Sequence, residues 1–152
     1  MILKERLLTL NLKPFKILGI EHVGMAVKKL DGLSDVFSDI FGLEFLGSEE
    51  VIDQQVMTDI YDTGAGKLEF LKATDSDSPV SRFIDKKGIG MHHIALKVDN
   101  LQTALDYLNK QGIKLINEKP QIGAEGFKIA FLDPKYTMGI LVELCEQKES
   151  HK

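Results

Sequence analysis

Two histidines and two glutamates stand out by position in this chain of 152 residues. His22 lies in residues 20–30, IEHVGMAVKKL, and His93 in residues 91–101, MHHIALKVDNL. They are 71 positions apart, and the same offset carries Val23 to Ile94, Met25 to Leu96, Val27 to Val98 and Leu30 to Leu101. Glu69 interrupts the apolar run KLEFLK and Glu143 the run ILVELC, 47 and 50 positions after their histidines. A carboxylate buried without a partner is costly, so it neutralises, pairs or binds a cation. Two imidazoles with two carboxylates suit a divalent cation of borderline hardness. The carboxylates balance its charge, and an octahedral ion would keep two positions for water or substrate oxygens. Taken singly, each residue has a plainer role. A histidine at a strand start is commonly structural, and a glutamate on an edge strand discourages aggregation. Matched placement in both halves is what favours a metal site.

The elements that would position these four groups follow from the repeat. Each copy alternates apolar with other residues and then changes to helical spacing, the pattern of a strand feeding a helix. Leu33, Val36, Phe37 and Ile40 continue the first helix; Leu101, Ala104, Leu105 and Leu108 continue the second. Gly42 and Gly112 follow them as left-handed caps. Three strands are expected after each glycine: LEFLGSEEV, VMTDIYDT and KLEFLKA in the first half, and IKLIN, KIAFLD and MGILVELCE in the second, where a turn-rich QIGAEG lies between. Two such βαβββ modules, each with one apolar sheet face, need each other for burial, which makes the fold class α+β. The expected organisation is an extension over 1–16, one domain over 17–147 and a polar tail over 148–152. Within the domain the modules cover 17–73 and 90–147, with a linker over 74–89. In the extension Leu3, Leu7, Leu8 and Leu10 could pack as a helix or edge strand. In the linker Pro79 suits a helix first turn, with Val80, Phe83 and Ile84 as its apolar face. Strand alternation puts Glu69 with Lys67 and Leu71, and Glu143 with Leu141 and Cys145. It also sends His92 to the face opposite His93, as a structural or supporting group, and His151 falls in the polar tail.

Composition narrows the class. Hydrophobic residues make up 43% and charged residues 28%, with a net charge of −4, a balance that argues for a globular domain and against nucleic-acid binding through clustered cations. One cysteine, Cys145, cannot form an internal disulfide, which favours a reducing compartment. The opening residues read poorly as a secretory signal, and no apolar run is long enough to cross a membrane. The expectation is a cytoplasmic protein with no nucleic-acid or membrane partner.

These residues resemble the vicinal oxygen chelate superfamily, which includes glyoxalase I, extradiol dioxygenases and bleomycin resistance proteins. Two stretches, DSPVSRFIDKKGIGMHHIALKVDNL and EKPQIGAEGFKIAFLDPKYTMGILVEL, are similar to its methylmalonyl-CoA epimerase branch. The likeness runs over residues 18–147. It implies an open, barrel-like mixed sheet of two paired βαβββ modules, usually in a homodimer. It also implies a divalent metal (Co²⁺, Mn²⁺, Ni²⁺ or Zn²⁺) held by His22, Glu69, His93 and Glu143. The implied substrate is an acyl-CoA thioester, 2-methylmalonyl-CoA-like, whose enolate a chelating metal stabilises after α-proton loss. Inversion at carbon then needs two acid–base groups, with Glu143 as one and Glu69 as the other.

The chain departs from that branch at three places. Some members carry a glutamate base on the strand VMTDIY, where this chain has Thr58, which is no base near neutral pH. Glu69 is the best substitute, with Asp59 weaker because it alternates to the other face. An EQG motif appears here as Asp53-Gln54-Gln55, and HPK as Asp133-Pro134-Lys135. Lys128 and Lys135, near the glycine turn 123–126, are candidate contacts for substrate phosphate or carboxylate. Two rival readings share the fold: a glyoxalase I-like lyase or isomerase acting on a glutathione hemithioacetal, and a metal-free protein that binds small molecules.

Overall fold

A computed structural model describes residues 13–149. Expectations for residues 1–12 and for His151 lie outside these described residues. Eight strands form one mixed, curled sheet in the order β2-β3-β4-β1-β5-β8-β7-β6. They are β1 (Ile17–Ala26), β2 (Glu44–Val51), β3 (Val56–Asp62), β4 (Lys67–Ala73), β5 (Gly90–Val98), β6 (Gln121–Ile122), β7 (Lys128–Phe131) and β8 (Val142–Glu146). The helices are α1 (Asp35–Ile40), α2 (Pro79–Lys87) and α3 (Leu101–Lys110). β1 and β5 run antiparallel through the centre, β4 pairs parallel with β1, and β8 pairs parallel with β5. The two halves are therefore related by a local twofold axis between β1 and β5. Each half has its parallel pair inside and its antiparallel strands outside.

The helix of the second half behaves as its spacing predicts. The Asn100 side chain caps α3 by accepting from the Thr103 N–H, the usual N-cap contact. Leu101, Ala104 and Leu105 are buried against Val98, Ala130, Leu132 and Leu144. Gly112 follows in a left-handed conformation, φ 80°, which costs glycine little. The helix of the first half differs. α1 is a single wide turn in which the Phe41 N–H donates to the Val36 carbonyl, an i→i+5 bond. It buries none of its residues, and Ile40 and Phe41 are exposed. Phe37 turns inward, its ring 4.7 Å from that of Phe70 and 5.8 Å from that of Tyr61. Gly42 ends it at φ 73°.

IKLIN in the second half is not a full strand. Its pairing is limited to a bridge between Leu115 and Leu132, with the Ile116 N–H donating to Phe131 and the Asp133 N–H to Lys114. Ile113 and Leu115 instead pack their side chains onto the core beneath α3. The first strand after α3 is instead the two-residue β6, within the stretch expected to turn. α2 starts as expected, with Pro79 in its first turn and the Ser78 hydroxyl accepting from the Val80 N–H. Val80 seals one end of the sheet with Ala26, Val51, Val56 and Leu71. On the face of the sheet away from α3, Ala95, Phe127, Ile129, Phe131 and Cys145 form a separate cluster. Among the described residues no helix is long and apolar enough to cross a membrane.

Candidate metal centre

Strand register explains why four residues far apart in sequence meet. Across β4, β1 and β5 one row runs Glu69, Gly24, His93. Across β1, β5 and β8 the next row runs His22, Ala95, Glu143. Each row holds one glutamate and one histidine with a small residue between them, and the local twofold exchanges the rows. The small residues are needed for space. A Cβ on Gly24 would sit 2.2 Å from the His93 ring, closer than any side chain could tolerate. Neither Gly24 nor Ala95 carries chemistry, so a search for reactive groups passes over them. Their signature is nevertheless present in the sequence, as a small residue two places after each histidine.

All four polar side chains are buried: His22 is 6% exposed, Glu69 5%, His93 4% and Glu143 2%. The two Nε2 atoms are 2.9 Å apart, with the rings edge to face. His22 Nε2 is 3.4 Å from Glu69 Oε2 and 3.9 Å from Glu143 Oε1. His93 Nε2 is 3.3 Å from Glu143 Oε2. The ligating atoms form two overlapping groups, each within 4.8 Å: His22, His93 and Glu143, and Glu21, His22 and Glu69.

Burial alone would lower the pKa of His22. Its hydrogen bond with Glu21 and the negative charge of Glu69, Glu143 and Glu21 outweigh burial and lift it to about 9. Burial raises Glu69 to about 7, helped by the charge of Glu143 and Glu21 and opposed by His22 and Lys67. His93 is held below the usual imidazole range by burial, reinforced by the charge of His22. His92 is lowered to about 4, again chiefly by burial. Burial pushes the Cys145 thiol well above its ordinary value, which makes it a packing residue rather than a nucleophile.

The donor set fits a divalent cation. Glu143 Oε1 is buried and has no hydrogen-bond partner, a costly state for a carboxylate oxygen and one that a cation would relieve. Two imidazole nitrogens facing each other across 2.9 Å, flanked by carboxylates, are the nitrogen and oxygen donors that zinc-like ions accept.

The remaining predicted residues are dispersed. Thr58 lines a cavity of about 10 Å³ beside His22, Glu69 and Glu143, room for roughly one water. Its buried hydroxyl has no partner. Asp59 turns away and accepts from the Ser48 hydroxyl. Gln54 reaches the same small cavity, whereas Asp53 accepts from the Ile122 N–H. Asp133 caps the turn Pro134–Tyr136 by accepting from the Lys135 N–H. The structure brings neither candidate lysine to the centre. Lys128 lies on the α3 side of the sheet beside Leu101 and Glu146, because its neighbour Ile129 takes the inward face. Lys135 is exposed beside the Tyr136 ring. Among the described residues the lysine whose charge acts on Glu69 is Lys67, 3.4 Å from Glu21 and 2.6 Å from Glu125. His92 is also not where alternation puts it: its Nδ1 is 2.9 Å from His93 Nδ1.

Comparison with known proteins agrees with this architecture. The family model of the glyoxalase/bleomycin resistance protein/dioxygenase superfamily matches residues 21–131. The chain belongs to that superfamily. Within it, the chain is 41% identical to the uncharacterized protein YqjC of Bacillus subtilis, over 85% of this chain and 92% of the relative. It is 34% identical to the mitochondrial methylmalonyl-CoA epimerase of Mus musculus, over 86% of this chain and 74% of the relative. A variant of the Streptomyces coelicolor methylmalonyl-CoA epimerase in complex with 2-nitronate-propionyl-CoA superposes with a TM-score of 0.81 at 27% identity. That match covers 88% of this chain and 100% of the other.

Proposed function

We propose that this protein is an isomerase that epimerises a 2-methylmalonyl-CoA-like thioester and depends on a divalent cation held by His22, Glu69, His93 and Glu143. One observation carries the reading: two carboxylates, from β4 and β8, flank a pair of histidines on β1 and β5 within one buried centre. When bound, the cation would supply Lewis-acid stabilisation of the negative charge that develops on substrate oxygen as the α-proton leaves.

The residues account for the rest of the chemistry. Inversion requires a base on one side of the α-carbon and an acid on the other. Glu143 takes the proton on its side and Glu69 returns one on the opposite side, with the roles exchanged for the reverse epimer. In the metal-free centre burial lifts the Glu69 carboxyl to about 7, and a cation held there would lower it again. Thr58 cannot replace either carboxylate, but its free hydroxyl can donate to a substrate oxygen. The apolar surround of Leu71, Phe127 and Ile129 keeps bulk water from quenching the carbanion. The likeness to epimerases that act on acyl-CoA thioesters supports the choice of substrate.

The test is incubation of a single methylmalonyl-CoA epimer with the Co²⁺-loaded protein in D₂O. The expected result is racemisation with deuterium at the α-carbon. Retained proton and configuration, combined with turnover of a glutathione hemithioacetal, would overturn the epimerase reading in favour of glyoxalase chemistry.

A further inference from the structure

The contacts of Glu21 and His92 with the two ring histidines come from irregularities in the central strand pair. Along β1 and β5 the register passes from Ile20 opposite Leu96 to His22 opposite Ala95, so Glu21 is an extra residue on β1. It then passes from Gly24 opposite His93 to Met25 opposite Met91, so His92 is an extra residue on β5. The two bulges are 71 residues apart, the same offset as His22 and His93, and the local twofold relates them. In a regular strand neighbouring side chains leave on opposite faces. A bulge re-aims one of them. Here each bulge places a side chain against the Nδ1 of the histidine that follows. Glu21 Oε1 is 3.2 Å from His22 Nδ1, and His92 Nδ1 is 2.9 Å from His93 Nδ1.

Both partners are themselves held. The second carboxylate oxygen of Glu21 meets Lys67 at 3.4 Å, and Lys67 is anchored 2.6 Å from Glu125. The His92 ring packs edge to face on Phe83, with centroids 4.9 Å apart. With both Nε2 atoms directed at the shared centre, each ligand ring must carry its proton on Nδ1, and each Nδ1–H needs an acceptor.

We infer that Glu21 and His92 are paired positioning residues. Each accepts the Nδ1–H of the adjacent histidine and so aims an Nε2 lone pair at the cation. The pair is also unequal: charged Glu21 makes His22 the stronger donor, and neutral His92 leaves His93 the weaker one. The inference rests on the cation-binding part of the proposed function and is independent of the substrate.

Titration of the metal-free protein with Co²⁺, followed by visible absorption, tests it. Glu21→Ala and His92→Phe should each weaken Co²⁺ binding by about 10- to 100-fold, the usual cost of losing such a partner, and alter the d–d bands. His92→Asn, which keeps an acceptor near the same point, should recover most of the affinity. Glu21→Gln, which keeps the acceptor but loses the charge, should recover only part. Wild-type affinity and spectrum in both Glu21→Ala and His92→Phe would overturn the inference. So would Gln and Asn variants no better than the deletions while thermal unfolding of the metal-free proteins is unchanged. Should the deletion variants fail to fold, wild-type affinity in Glu21→Gln would by itself overturn the assigned asymmetry. Failure of the unaltered protein to bind Co²⁺ would count instead against the metal centre itself.

Discussion

The two halves of the sheet carry the same polar groups on differently built supports. In the second half α3 buries Leu101, Ala104 and Leu105 in a continuous core. In the first, α1 is one wide turn with no buried residue. Yet His22 and Glu69 arrive as close to the shared point as His93 and Glu143 do. Helix packing therefore does not place the ligands. Register between β4, β1, β5 and β8 does, together with the two bulges and the small residues Gly24 and Ala95. Helices on the outer face could diverge because the centre never depended on them.

The largest effect expected from that view is on the ligands. His93→Ala and Glu143→Ala should each lower Co²⁺ affinity by more than about a hundredfold, beyond the usual loss of a supporting hydrogen bond. His22→Ala and Glu69→Ala should match them despite the weaker support of their half, as titration calorimetry would show. A first-half variant that kept full affinity would break the equivalence. Next is Gly24→Ala, whose new methyl would collide with the His93 ring. It should cut Co²⁺ affinity at least about tenfold by the same measure, and overpacking should cost about 1–3 kcal/mol in urea unfolding.

The helices should differ in the opposite sense. Leu105→Ala in α3 removes a buried side chain and should cost about 2–5 kcal/mol. Ile40→Ala in α1 alters a residue 73% exposed and should stay within about 0.5 kcal/mol. Equal costs in denaturant titrations would show that α1 contributes more than its contacts indicate.

A further effect concerns pH. His22 is raised on folding to about 9 and Glu69 to about 7. Both shifts favour the protonated form in the folded state, so their contribution is present at low pH and lost as pH rises through the folded values. From pH 7 to 9 the metal-free protein should lose a few degrees of Tm in calorimetry. Over the same interval Co²⁺ affinity should rise, because fewer protons compete for His22. A metal-free Tm that rose across this range would contradict the charge arrangement of the first half.

Much of the fold was legible in the residues. The 71-residue offset, the change from strand to helix spacing and the capping glycines describe the duplicated unit and most of its strands. Spacing also named the four side chains that the structure draws together, because equivalent positions in a twofold pair must face each other. The bulges were not legible, since an extra residue exists only relative to the strand it pairs with. Alternation in a single strand therefore sent His92 to the wrong face and left Glu21 unnoticed. α1 had the spacing of a buried helix but no groove to fill, and IKLIN had the composition of a strand but spends its side chains beneath α3. The candidate lysines were chosen by nearness in sequence to a turn, which says nothing about which face of β7 Lys128 takes or how the turn Pro134–Tyr136 presents Lys135.

Cys145, the chain's lone sulfhydryl, lies fully enclosed on β8 two residues beyond Glu143, with its sulfur 3.5 Å from the Leu96 carbonyl. A maleimide can reach it only while its enclosure is parted, at the seam between β5 and β8 or at the cluster of Phe127, Ile129 and Phe131. The molecule thus contains its own gauge of how often that enclosure breathes, and a bound ion spanning the two strands should slow the labelling.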